Sequence, residues 1–145
     1  PKVQAILSKS MEATKGNTAR HLSLALNYGS RAETIEAVKR YAKLAQSGEA
    51  NPDELNWEQF ANLLYTAELP DPDLIIRTSG ENRLSNFLLL QGAYAEIYVT
   101  PVLWPEFTGK EFRKAIEFYG QRERRFGKTG EQIRSEQTKP EEARC

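Results

Sequence analysis

The stretch Asp73–Thr100, DLIIRTSGENRLSNFLLLQGAYAEIYVT, carries the densest pattern in this 145-residue chain. Leu74-Ile75-Ile76 is a short apolar run, bounded by Pro70 and Pro72 before it and by the Thr78-Ser79-Gly80 turn after it. Such a run is too short for a helix and too apolar for a half-exposed strand, so it predicts a buried, parallel strand. In open α/β sheets ligands sit beyond the carboxyl ends of the strands, which is where Arg77 and the Ser79-Gly80 turn fall. Gly80 permits a left-handed backbone, so consecutive N–H groups there are expected to point at an anion. Ser85 reads as the N-cap of a short helix through Asn86, Phe87, Leu88, Leu89 and Leu90, and a helix N-terminus is a second anion site. Arg77 and Arg83 would add planar guanidinium forks matched to phosphate. A hydrogen bond to a charged group contributes roughly 1.5–3 kcal/mol, so one arginine would be worth about ten- to a hundredfold in affinity.

Glu96 stands out in the second half of the stretch. Alternation along Tyr94–Thr100 places Tyr94, Glu96 and Tyr98 on one face and Ala95, Ile97 and Val99 on the other. A carboxylate in mid-strand needs an arginine or a divalent metal if it is buried. Magnesium binds through one or two carboxylates plus substrate phosphates, which would join Glu96 to the arginines as one site. The plainer alternative is a strand glutamate in a surface ion pair.

The run RTSGENRLSNFLLLQGAYAEIYVTPVLWP (77–105) resembles the carboxyl-terminal signature of the cis-prenyltransferases, the undecaprenyl and polyprenyl diphosphate synthase family. HLSLALNYGSRAETIEAV (21–38) and FYGQRERRFG (118–127) extend the resemblance across residues 3 to 127. It implies an α/β fold with a mainly parallel central sheet flanked by helices. It also implies elongation of an allylic prenyl diphosphate by isopentenyl diphosphate, with Mg2+, to form a cis double bond. On the same resemblance Arg77, Arg83 and Ser85, with the backbone at Leu84, would hold the diphosphate of isopentenyl diphosphate. Glu96 would match a magnesium-linked glutamate, and Arg125 with Gly127 an Arg-x-Gly element that reaches across a homodimer to the partner's diphosphate site. Peripheral membrane contact would come through the product. Three positions depart from the common pattern: Ser79 for a frequent glycine, Asn82 for histidine and Leu90 for tryptophan.

The family's amino-terminal half carries an Asp-Gly-Asn-x-Arg-Trp type motif with the catalytic aspartate, and no such motif occurs here. The chain begins at Pro1 and so reads as a carboxyl-terminal portion of one domain (1–127), followed by a polar, disordered tail (128–145). Alone, it is expected to lack the chemistry. The rival class is a non-catalytic partner subunit that supplies the Arg-x-Gly element in trans. Such partners resemble the family without its diphosphate cradle, so retention of both features favours the catalytic branch.

Composition narrows the remaining classes. Twenty basic and twenty acidic residues give no formal net charge, so no global field favours nucleic acid or an anionic membrane. The Arg122-Glu123-Arg124-Arg125 cluster reads, without the resemblance, as a solvated helix end complementing the dipole. No apolar run has the length of a membrane span. The one cysteine, Cys145, excludes an internal disulfide, and a cytoplasmic location is expected, with a plastid stroma or another intracellular compartment left open. His21, the one histidine, reads as a strand-edge residue rather than a base.

The remaining elements follow from periodicity and capping. Val3, Ile6, Leu7 and Met11 mark an amphipathic helix closed by Lys15-Gly16-Asn17. His21–Asn27, with leucine at 22, 24 and 26, predicts a mostly buried strand. Ser30 to Glu33 is a capping-box pattern opening a helix with Ile35, Val38 and Ala42 inward. Asn27 and Arg31 then lie at a βα junction facing the same ligand side, and Asn27 joins the candidate binding residues. Gln46–Asp53 reads as a loop, and Asn56 with Gln59 as the start of a short helix. Thr108 to Glu111 is a second capping-box pattern, with Phe112, Ala115, Ile116 and Tyr119 on one face of the helix that follows. Tyr94, Tyr98, Trp104 and Phe107 read as core or interface aromatics. Leu88, Leu89, Ile97 and Val99 fit either the core or the wall of a hydrophobic tunnel.

Overall fold

The described residues contain one sheet, a pair of parallel strands. The structure is a computed structural model and describes residues 2–122. In chain order it contains α1 (Lys2–Thr14), α2 (Ser30–Gln46), a 3-10 turn at Pro52–Glu54, α3 (Trp57–Ala61), β1 (Leu74–Arg77), β2 (Glu96–Val99), a 3-10 turn at Trp104–Glu106 and α4 (Gly109–Gly120). The tail expectation, Arg125 and Gly127 all fall outside the described residues.

Strand β1 pairs with β2 in parallel, with Leu74 opposite Glu96 and Arg77 opposite Val99. The expected parallel sheet with flanking helices is therefore present, two-stranded among the described residues. Pleating puts Leu74, Ile76, Glu96 and Tyr98 on one face, and Ile75, Arg77, Ile97 and Val99 on the other. Helix α4 covers the first face, with the Tyr98 and Phe118 rings 5.2 Å apart. The second face receives the crossover between the strands. A Cβ on Gly92 would lie 2.8 Å from the Leu88 carbonyl oxygen and 2.9 Å from the Ile75 side chain, so glycine lets the crossover pack this closely on itself and on Ile75. Ala37, Leu64, Ile75 and Ala115 are the buried apolar residues.

Several local expectations hold. Helix α1 ends at Thr14, whose carbonyl accepts from Asn17 N–H. Helix α3 starts at the expected Asn56–Gln59 segment, and there the structure forms a capping box: Asn56 accepts from Gln59 N–H, and the Gln59 side chain accepts from Asn56 N–H.

Others are corrected. His21–Asn27 is neither strand nor buried, and Leu22 is 87% exposed. A strand needs a hydrogen-bonded neighbour, and this segment has none among the described residues. The Ser30–Glu33 pattern starts α2 at Ser30 as expected, but no local capping box forms. Its inward face is Ser30, Glu33 and Ala37, while Ile35, Val38 and Ala42 are exposed. Helix α4 likewise follows Thr108 without a side-chain cap. Ala115 is its buried residue, whereas Phe112 and Ile116 remain about half exposed. No helix begins at Ser85, because Ser85, Asn86 and Leu88 have φ of 52°, 62° and 45°. Left-handed residues cannot propagate a right-handed helix.

Candidate functional site

The left-handed turn at Ser85-Asn86 replaces the expected helix and builds a different anchor. Asn86 supplies the cap that α2 lacks locally: its carbonyl accepts from Ser30 N–H at 2.9 Å and its Oδ1 from Arg31 N–H at 3.0 Å. Ser30 Oγ in turn accepts from Leu89 N–H at 3.1 Å. Gly29 permits this contact, since a Cβ there would sit 2.8 Å from Asn86 Nδ2. The first turn of α2 is thereby stitched to residues 86–89. Asn27 itself is exposed, with φ of 53°.

Beneath this seam lies a polar knot. Glu33 is fully buried and accepts from three donors: the Tyr28 hydroxyl, Tyr65 N–H at 2.8 Å and Gln91 Nε2 at 3.1 Å. Gln91 also donates to Thr66 Oγ1 at 3.0 Å. Burial, and then donation to Glu33, push the Tyr28 phenol above its ordinary range. The Tyr28 ring meets Phe87 and Tyr65 edge-on at 5.6 and 6.5 Å. A buried carboxylate with three neutral donors ties α2, the segment after α3 and the crossover into one unit.

The candidate anion-binding residues sit on this framework. Arg77 ends β1, and its Nε is buried without a hydrogen-bond partner. Gly80 has the expected positive φ, at 67°, and Ser79 before it is left-handed too, at 63°. Its amides, however, are already used. Ser79 N–H donates to the Val102 carbonyl and Gly80 N–H to the Thr100 carbonyl, each at 2.9 Å. The expected anion nest at this turn is thus a splice between the strand ends. Further on, the N–H groups of Asn82, Arg83, Leu84 and Ser85 have no acceptor among the described residues. Arg83 is 67% exposed and pairs with Glu81, Leu84 is half-buried, and Ser85 is exposed.

Glu96 occupies a different place. It starts β2, one strand length (about 10 Å) from the end where Arg77 lies, and on the opposite face of the sheet. Its carboxylate accepts from Arg122 Nε at 3.0 Å, so the partner expected for a part-buried strand glutamate is an arginine. Within one chain the structure does not bring Glu96 together with Arg77 or Arg83. Among the described residues no group of three or more His, Cys, Asp or Glu side chains could hold a metal. Glu96 fits magnesium only as a single carboxylate whose other ligands are phosphate and water.

Glu33, Asn86, Gln91 and Arg122 escaped the sequence reading as structural partners. Gln91 carried a usable signal, a lone polar residue closing Phe87-Leu88-Leu89-Leu90. Glu33 was hidden by its fit to a capping box.

Comparisons with known proteins agree with this architecture. The family model described as putative undecaprenyl diphosphate synthase matches residues 1–127. An isoprenyl transferase of Heliobacterium mobile is 55% identical over 121 residues, covering 83% of this chain and 46% of the relative. A ditrans,polycis-undecaprenyl-diphosphate synthase ((2E,6E)-farnesyl-diphosphate specific) of Coxiella burnetii is 48% identical over 132 residues, covering 91% of this chain and 56% of the relative. Among solved structures, lavandulyl diphosphate synthase from Lavandula x intermedia, in complex with dimethylallyl diphosphate, superposes with a TM-score of 0.84 at 36% identity. That match covers 88% of this chain and 56% of the other. A probable undecaprenyl diphosphate synthase from Campylobacter jejuni gives a TM-score of 0.72 at 39% identity, covering 88% of this chain and 57% of that one. The chain spans about half the length of the curated relatives it matches. Sequence and fold agree over the same residues, and the chain belongs to the cis-prenyltransferase (undecaprenyl diphosphate synthase) family.

Proposed function

We propose that this chain holds the isopentenyl diphosphate of a cis-prenyltransferase reaction, in which an allylic prenyl diphosphate is extended to a cis-polyprenyl diphosphate. One observation carries the reading. Arg77 presents a buried, unpartnered Nε at the carboxyl end of β1, on the face occupied by the crossover. A buried guanidinium donor without a partner is costly, and an anionic ligand would satisfy it. Arg83, the N–H groups at Leu84 and Ser85 and the Ser85 hydroxyl would complete the cradle. Asn27 would approach it from the α2 side.

The role of these residues is positioning. Fixing the diphosphate end orients the isopentenyl double bond toward the allylic carbon, so its π electrons form the new carbon–carbon bond as the allylic diphosphate departs. Loss of a C2 proton from the isopentenyl unit to the released diphosphate or water then forms the cis double bond. Fixed donors at the departing diphosphate lower the barrier by meeting charge as it develops there. Magnesium, when bound, would neutralise diphosphate charge, with Glu96 as the carboxylate that holds it. Arg125 and Gly127 would serve the diphosphate site of a partner subunit in a homodimer. The catalytic aspartate motif of the family does not occur in these residues, so the role proposed for them is binding and positioning of substrate.

Equilibrium binding of isopentenyl diphosphate in the presence of Mg2+ tests the reading. Arg77→Ala should weaken binding about ten- to a hundredfold, the worth of one or two charge-assisted hydrogen bonds. Unchanged affinity in a folded variant would remove Arg77 from the cradle.

A further inference from the structure

We propose that Asn86 is a positioning residue of the diphosphate cradle: with the first turn of α2 it holds the crossover backbone left-handed, and that handedness sets where the amides of Leu84 and Ser85 present. This rests on the reading of Leu84 and Ser85 as cradle residues and names what keeps them in place.

The turn runs against its own sequence. Phe87 N–H donates to the Leu84 carbonyl at 3.1 Å, closing a four-residue turn whose central residues, Ser85 and Asn86, have φ of 52° and 62°. Turns of this sign favour glycine, asparagine and aspartate. Asn86 fits that preference. Ser85 does not, and Leu88 just beyond the turn is left-handed as well, at 45°. A left-handed backbone is disfavoured by about five- to thirtyfold for each ordinary L-residue. Such conformations persist where the surroundings over-determine them, and they cluster at ligand clamps.

Here the surroundings are the opening of α2. Ser30 N–H donates to the Asn86 carbonyl, Arg31 N–H to Asn86 Oδ1 and Leu89 N–H to Ser30 Oγ, so Leu88 is bracketed by bonds on both sides. Ser30 is fully buried, and the Asn86 amide lies so near Gly29 that a Cβ there would stand 2.8 Å from Nδ2. The Tyr28 ring braces Phe87 edge-on at 5.6 Å. On the other limb of the turn, the N–H groups of Leu84 and Ser85 have no acceptor among the described residues. One limb is fastened to α2, and the other keeps its donors for an anion.

Calorimetric titration with isopentenyl diphosphate and Mg2+, beside urea midpoints, separates handedness from capping. Asn86→Ala and Asn86→Gly both lose the Oδ1 acceptor, so both should lower the midpoint. Glycine alone keeps the left-handed backbone without steric cost. Asn86→Gly should therefore bind within about twofold of the parent chain, whereas Asn86→Ala should bind about fivefold more weakly. Ser30→Ala, which unfastens Leu89 and leaves the turn residues unchanged, should also weaken binding. Equal weakening by Ala and Gly at position 86, or none by either, would overturn the proposal. So would Ser30→Ala binding as tightly as the parent. Failure of the parent chain itself to bind isopentenyl diphosphate would instead overturn the cradle reading beneath it. Circular dichroism checks that each variant is folded.

Discussion

Glu33 and Gln91, 58 residues apart, meet in a buried hydrogen bond of 3.1 Å. Around it converge the Tyr28 hydroxyl and Tyr65 N–H, so one carboxylate satisfies donors from three parts of the chain. Glu33→Ala should leave these donors unpaired and cost about 3 kcal/mol or more, since each stranded buried polar group costs roughly 1–3 kcal/mol. Glu33→Gln, isosteric but with one acceptor oxygen instead of two, should cost less. Urea denaturation midpoints check the order.

Asn86 should matter both to stability and to binding. Asn86→Ala removes the side-chain acceptor for Arg31 N–H, and losing a helix cap costs about 1 kcal/mol. The same change loosens the turn that carries Leu84 and Ser85. It should therefore weaken isopentenyl diphosphate binding beyond what an exposed α2 change such as Lys39→Ala produces, as measured by calorimetry.

Gly92→Ala tests the packing of the crossover on the sheet. The added methyl would meet the Leu88 carbonyl at 2.8 Å and Ile75 Cδ1 at 2.9 Å. Overpacking of this kind costs about 1–3 kcal/mol, readable as a lower thermal midpoint. Gly109→Ala, where a Cβ meets nothing within 4 Å, should be close to neutral.

The raised phenol of Tyr28 predicts an alkaline limit. Its protonated form is favoured in the folded chain, so that stabilisation is complete below the ordinary value of 10.0 and is lost as pH rises through the folded value. Stability measured from pH 8 upward should fall at the alkaline end, and Tyr28→Phe should lessen that fall. Below pH 9, Tyr28→Phe should instead show the plain loss of one donor to Glu33.

The sheet was legible because its signals are local. Leu74-Ile75-Ile76 is apolar on both faces, and Glu96 sits at a period-two position whose partner had to be an arginine or a metal. The start of α3 was legible for the same reason, since Asn56 and Gln59 satisfy each other within one turn. The errors share one cause: the partner was distant. Ser30 and Glu33 match a capping box, but Asn86 offers a better acceptor to the first turn and the Glu33 carboxylate meets three buried donors inside. Ser85 looks like an N-cap only while Asn86 and Leu88 are assumed to be right-handed. Leu22, Leu24 and Leu26 alternate as a strand should, yet alternation specifies a face and cannot supply the neighbouring chain. The separation of Glu96 from Arg77 follows from register and pleat, which spacing along the chain does not reveal.

The cap on α2 has a consequence for the order in which the chain can be built. A helix that carries its own cap can settle as soon as its residues are made. The opening of α2 draws its acceptors from Asn86, and Glu33 draws a donor from Gln91. During synthesis, the first turn of α2 must therefore wait for its long-range acceptors until Asn86, 55 residues beyond Arg31, has emerged. Long-range closure of this kind is slow and leaves apolar surface uncovered meanwhile. For this chain the interval between translating α2 and translating the turn at Asn86 is the window in which a chaperone would find most to hold.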